Sequence, residues 1–143
     1  MDLKIYLNII DFGLVVLIFL VQLCIYPAFK YFNKEGLKIW HRIYTPNITY
    51  VVLPLMLSQL SLSGYFAFFE ASLLNAVHFG LVALTWISTF VYFVPLHQKI
   101  NAEKYNATDL HNIEKANWLR LVLWTLIFII GLLNTNLFYH LVI

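Results

Sequence analysis

Charge is what this chain most lacks. Only 11% of its 143 residues are Asp, Glu, Lys or Arg, against roughly 25% in a soluble domain. A water-solvated globule is therefore excluded, and a net charge of +2 is too small for a nucleic-acid partner. Cysteine is equally scarce. The single Cys24 rules out an intrachain disulfide framework, a CxxC redox pair and a thiolate metal cage. There is no internal repeat, no low-complexity tract and no polar stretch long enough for a soluble domain.

What is present is apolar: 62% hydrophobic and 17% aromatic residues, with a mean hydropathy of +0.78. A helix crossing about 30 Å of hydrocarbon needs about 20 residues, and four windows supply them, at roughly 5–29, 46–69, 71–96 and 118–142. Asp11 interrupts the first window and no small-residue cleavage site follows it, so a retained helix is expected rather than a signal peptide. Almost nothing separates the second and third windows around Glu70, which predicts an antiparallel hairpin. The expected fold is all-α: a single transmembrane domain, residues 1–143, forming an integral membrane antiparallel four-helix bundle.

Sidedness follows from the basic residues. Lys30, Lys34, Lys38 and Arg42 follow the first window, and Lys99, Lys104, Lys115 and Arg120 lie between or at the edges of the third and fourth; Lys4 alone is elsewhere. Short cytoplasmic loops carry the Lys/Arg excess, so both termini are expected on the non-cytoplasmic side of a cell (inner) membrane. The sequons at Asn47 and Asn106 then face the cytoplasm and carry no glycan.

The first cytoplasmic connection reads as a short interfacial helix. Asn33 is a suitable cap, Leu37, Trp40 and Tyr44 recur at helical spacing, and Thr45-Pro46 suits a fresh start for the second span. Thr108 to Glu114 reads as a second interfacial helix, leaving His111 solvated, as His140 is at the other face. On the third span, Ser72, Ala76 and Gly80 form a small-xxx-small seam, expected to pack closely against a neighbouring helix.

Ionisable residues inside a span are costly unless they face the bundle interior, and grouping them by depth gives two layers. Asp11, Gln59, His78 and Asn134 form the outer one, which reads either as hydrogen-bonding glue that fixes register or as a proton relay. Tyr26, His41, Tyr44, Asn47, Tyr50, Tyr92, His97, Asn117 and Arg120 gather near the cytoplasmic interface. Asn117, Arg120, Trp124, Gly131 and Thr135 share one face of the fourth helix. This inner layer could hold an anionic or phenolic headgroup, with Tyr26, Tyr44, Asn47, Asn117 and Trp124 as ligand-binding candidates. It could equally reflect a snorkelling Arg120 and a His97 that caps a helix end. No HxH, HxxxH or HExxH spacing is present, so no metal or cofactor is predicted; haem or a metal at His41 and His97 is a minor alternative.

Tyr26-Pro27-Ala28-Phe29, Trp40-His41-Arg42-Ile43-Tyr44, Pro54 with Met56 and Gln59, Val94-Pro95-Leu96-His97 and Asn117-Trp118-Leu119-Arg120 together resemble a group of small bacterial four-helix membrane proteins. More distantly, the chain is similar to anthrone-oxygenase-like membrane proteins, which oxidise polycyclic phenols without a recognised cofactor. That resemblance implies His41 and His97 as catalytic bases and Arg120 as stabiliser of the phenolate.

Three functions compete at this point. The chain binds or oxidises an apolar or phenolic small molecule at the inner layer; or it conducts or transports a proton or ion through Asp11 and His78, for which four helices suggest a homo-oligomer; or it is a structural or accessory protein whose polar layers serve folding. In each case the lipid bilayer is its solvent.

Overall fold

A computed structural model describes residues 3–135; the distal part of the fourth expected span and His140 lie outside the described residues. The described chain is all-helical. Its four long helices are α1 (Leu3–Tyr31), α2 (Lys34–Phe69), α3 (Leu73–Asn101) and α4 (Ala107–Asn134), each long and apolar enough to cross a membrane. Helix α1 packs against α2 and α4, and α3 packs against the same two.

The helix starts are built from local polar chemistry. Asn33 caps α2 by accepting from the Gly36 amide at 2.7 Å, as its sequence position suggests. Ser72 accepts from the Asn75 amide at 3.2 Å to start α3. At α4, Asn106 and Asp109 form a reciprocal capping box: the Asp109 amide donates to Asn106 Oδ1 at 2.8 Å, and the Asn106 amide donates to Asp109 Oδ2 at 3.1 Å.

Two expected breaks are absent. The segment read as a first interfacial helix is continuous with the second span, so α2 runs for 36 residues with Pro46 and Pro54 inside it, about 54 Å at 1.5 Å per residue. Its inward residues explain this. Leu37, His41, Tyr44, Met56, Gln59, Ser63 and Phe66 are buried and Ile48 and Val52 half-buried, a three-four stripe that crosses Pro46 without losing phase. Both prolines lie on the exposed face, where a missing i−4 bond is tolerated. The second expected interfacial helix is likewise the first turns of α4, because Ile113, Asn117, Arg120, Trp124, Ile127 and Gly131 continue one buried stripe.

The small-residue seam also differs from expectation. Ser72, Ala76 and Gly80 are exposed, and a Cβ added at Gly80 would meet nothing within 4 Å. The buried stripe of α3 is instead Asn75, His78, Val82 and Thr85. The glycine that permits a close approach is Gly131 of α4, where a Cβ would run into Asn8 Oδ1 and lie 3.0 Å from Asp11 Oδ2.

Both α1 and α3 contain one wide, π-type turn, at Val21–Ile25 and Thr89–Phe93. In each, the amide just past the turn reaches back five residues, Tyr26 to the Val21 carbonyl and Val94 to the Thr89 carbonyl. A proline follows each turn, Pro27 and Pro95, whose missing amide already unsettles the local i→i−4 ladder. The turns rephase the helix ends and carry Tyr26 and His97 to one side of the bundle.

Candidate functional site

The outer polar layer is tightly knit. Asp11, fully buried, accepts from Gln59 Nε2 at 2.7 Å on one carboxylate oxygen and lies 2.9 Å from His78 Nε2 on the other. Three helices thus meet at one carboxylate. Asn134 does not join them; it donates to Asn75 Oδ1, while Asn75 itself donates to the Phe66 carbonyl at 3.2 Å. Asn8 donates to the Thr135 hydroxyl at 3.0 Å. Beside this layer lies a cavity of about 10 Å³ lined by Asn8, Ser63, His78 and Thr135 among others, barely the size of one water.

Inward along each helix from this layer come Leu14, Met56, Val82 and Ile127, at most 4% exposed. They form an apolar seal. Beyond it opens a cavity of about 320 Å³, within the range of small-molecule sites. Its wall near the seal is Leu17, Ile18, Val21, Val52 and Met56; its far wall is Tyr26, Tyr44, Thr45, His97, Gln98, Asn101 and Arg120. Thr49, Gln98 and Asn101, from α2 and α3, are the lining residues that are exposed and mark where it opens.

The two histidines meet at the polar end. His41 Nδ1 lies 2.7 Å from Asn101 Oδ1, and His41 Nε2 lies 2.7 Å from His97 Nδ1. An amide oxygen only accepts, so His41 carries its proton on Nδ1. In a neutral pair, His97 then donates from Nδ1 and leaves Nε2 as an acceptor, 3.4 Å from the Tyr26 hydroxyl. His41 is fully buried and does not line the cavity, whereas His97 does. The two residues that the resemblance implies as bases therefore differ in placement. His97 faces the cavity, and His41, in contact with Asn101, lies behind it.

Arg120 also lines the cavity. Its guanidinium lies over the rings of Phe93 at 4.2 Å and Trp124 at 4.8 Å, and one terminal nitrogen donates to the Thr89 hydroxyl at 3.3 Å. Among the described residues no Asp or Glu lies within ion-pair distance of it, and its Nε has no hydrogen-bond partner. Trp124 is thus a support for the cation rather than a wall of the cavity.

Three expected members fall outside the site. Asn47, Tyr50 and Tyr92 are exposed on the outer surface, because the π turn and the unbroken α2 set the inward stripe at other positions. Asn117 is buried but turned towards α1, donating to Gln22 Oε1 at 2.9 Å. It ties helices together and does not line the cavity. Asn101 and Thr45 are additions. Each lies four residues beyond a histidine, His97 or His41, and comes onto the same face because the helices run unbroken past Leu96 and through Pro46.

Among the described residues no group of three or more His, Cys, Asp or Glu side chains is placed to hold a metal ion. Both ring nitrogens of His41 are engaged within the protein, so a metal bound to His41 would displace one of those contacts. His111 is exposed. No protein-family model matches the chain, and neither a curated protein nor a solved structure gives a significant match.

Proposed function

We propose that this chain is an antiparallel four-helix bundle spanning a cell membrane, with both termini on the non-cytoplasmic side, and that it takes an apolar or phenolic small molecule into the inner cavity from the bilayer. The observation that carries this reading is the division of one cavity into an apolar and a polar end, with a mouth between two helices. Membrane insertion is supported by the outer surface, where Ile9, Leu20, Val51, Ile87, Leu119 and Leu133 stand exposed on all four helices, more apolar area than a soluble monomer tolerates. Alternating helix direction is supported by the pairing of residues near the starts of α1 and α3 with the ends of α2 and α4, as in Asp11 with Gln59 and Asn8 with Thr135.

The resemblance to anthrone-oxygenase-like proteins gives this reading a chemical form. A phenol bound at the polar end would give its proton to His97 Nε2, and Arg120 would hold the phenolate for reaction with oxygen. The test is mass spectrometry of small molecules that co-purify with the full chain, comparing wild type with Thr49→Trp at the mouth. A co-purifying apolar molecule lost in the variant supports the reading; identical extracts from both proteins reject it.

A proton path through Asp11 and His78 is favoured by one observation, their contact beneath the small outer cavity. The seal of Leu14, Val82 and Ile127, all fully buried, separates that pair from the inner layer, and the next polar side chains, Thr85 and Thr89, donate back to carbonyls of their own helix. Asp11→Asn separates the two functions, since a conducting protein would lose proton flux in liposomes while a binding protein would keep its ligand.

A further inference from the structure

The lateral-cavity reading leaves a charge unexplained, and the inference here rests on that reading and deepens it. Arg120 is only 8% exposed, an arginine does not shed its proton to escape burial, and a buried cation without a counter-charge is costly. The faces of Phe93 and Trp124 offset part of that cost. One bond to Thr89 leaves most of its N–H donors free, and the Tyr44 hydroxyl, which also lines the cavity, makes no hydrogen bond among the described residues.

We infer that the cavity is built for a single-chain amphiphilic anion: an oxyanion head on Arg120 with the Tyr44 hydroxyl as second donor, and a chain along Ile18, Val21, Val52 and Met56. The anion supplies the missing counter-charge, and two oxygens of a carboxylate or phosphate suit the planar guanidinium fork. A volume of about 320 Å³ lies at the small end of ligand sites, roughly 300–1,000 Å³, and admits one chain rather than the two of a bilayer lipid. A free fatty acid and a single-chain lipid phosphate share this chemistry.

The test is binding of radiolabelled dodecanoate, dodecyl phosphate and dodecanol to the full chain in a neutral sterol-based detergent. Either anion, or both, should bind roughly tenfold or more tightly than the alcohol, as a charge-assisted bond to arginine requires. Which anion binds better identifies the source. Arg120→Gln should abolish that preference while leaving weak alcohol binding. Should that variant fail to fold, Tyr44→Phe should lower anion affinity several-fold and leave the alcohol unchanged. Equal binding of dodecanol and the anions overturns the anion assignment and leaves the cavity reading standing; no binding of any of the three overturns both.

Discussion

The two polar layers of this bundle use similar side chains to opposite ends. In the outer layer, the buried carboxylate of Asp11 meets Gln59 and His78, both within 2.9 Å, around a space barely large enough for one water. In the inner layer the buried charge, Arg120, has aromatic faces and one hydroxyl but no acid, beside a cavity about thirty times larger. A polar layer whose charge is answered from within holds helices in register. In the inner layer the charge is left without an acid, beside open space.

The comparison is broken most severely by removing the answered charge's centre. Asp11→Ala strands His78 and Gln59 in an apolar core and should destabilise the bundle by about 3–5 kcal/mol, read as a large fall in the thermal midpoint in detergent. Gly131→Val tests the same layer through packing: its side chain would collide with Asn8 and approach Asp11, at a cost of about 1–3 kcal/mol.

At the inner layer, His97→Ala leaves His41 Nε2 with only the Thr45 hydroxyl at 3.3 Å, and about 1–3 kcal/mol should be lost. A double-mutant cycle with His41→Ala should give a coupling of about 0.5–3 kcal/mol; a coupling near zero would mean that the two imidazoles do not act together. Arg120→Gln is expected to leave stability nearly unchanged, or to raise it, since it removes an uncompensated buried charge. A fall as large as that of Asp11→Ala would erase the contrast between the layers.

The smallest effect belongs to the loop between α3 and α4. Lys38 hydrogen-bonds to Glu103, and that bond and the charge of Lys38, helped by Lys34 and Arg42, hold the Glu103 carboxyl below its usual range. A depressed carboxylate contributes stability above its unfolded pKa and loses it as pH falls through the folded one. Glu103 is exposed, so screening leaves little to lose. Thermal unfolding of Glu103→Gln and wild type should therefore differ slightly at neutral pH and converge on acidification.

Much of the fold is legible because helices long and apolar enough to cross a membrane follow a length rule and a hydropathy rule that read directly off the chain. The four windows, the Asn33 cap and the tight turn at Glu70 follow from local chemistry. At the helix ends a local signal competes with a longer one: Thr45-Pro46 looks like a start, yet the stripe from Leu37 to Phe66 is continuous and buries one face. In the inner site, Tyr26, His41, Tyr44, His97 and Arg120 share a depth that the sequence gives. Depth does not give rotation about the helix axis, so Asn47 and Asn117 share that depth although neither lines the cavity.

By itself the sequence determined the class of helix, its number and the depth of each polar residue, since these depend on composition and on a fixed rise per residue. Only the tertiary structure decided which polar groups are answered and which are not. That distinction depends on how four helices are rotated against one another, and the π turns before Pro27 and Pro95 and the close approach at Gly131 set that rotation. Partnership between side chains more than fifty residues apart, as between His41 and His97, is a property of packing that no local pattern encodes.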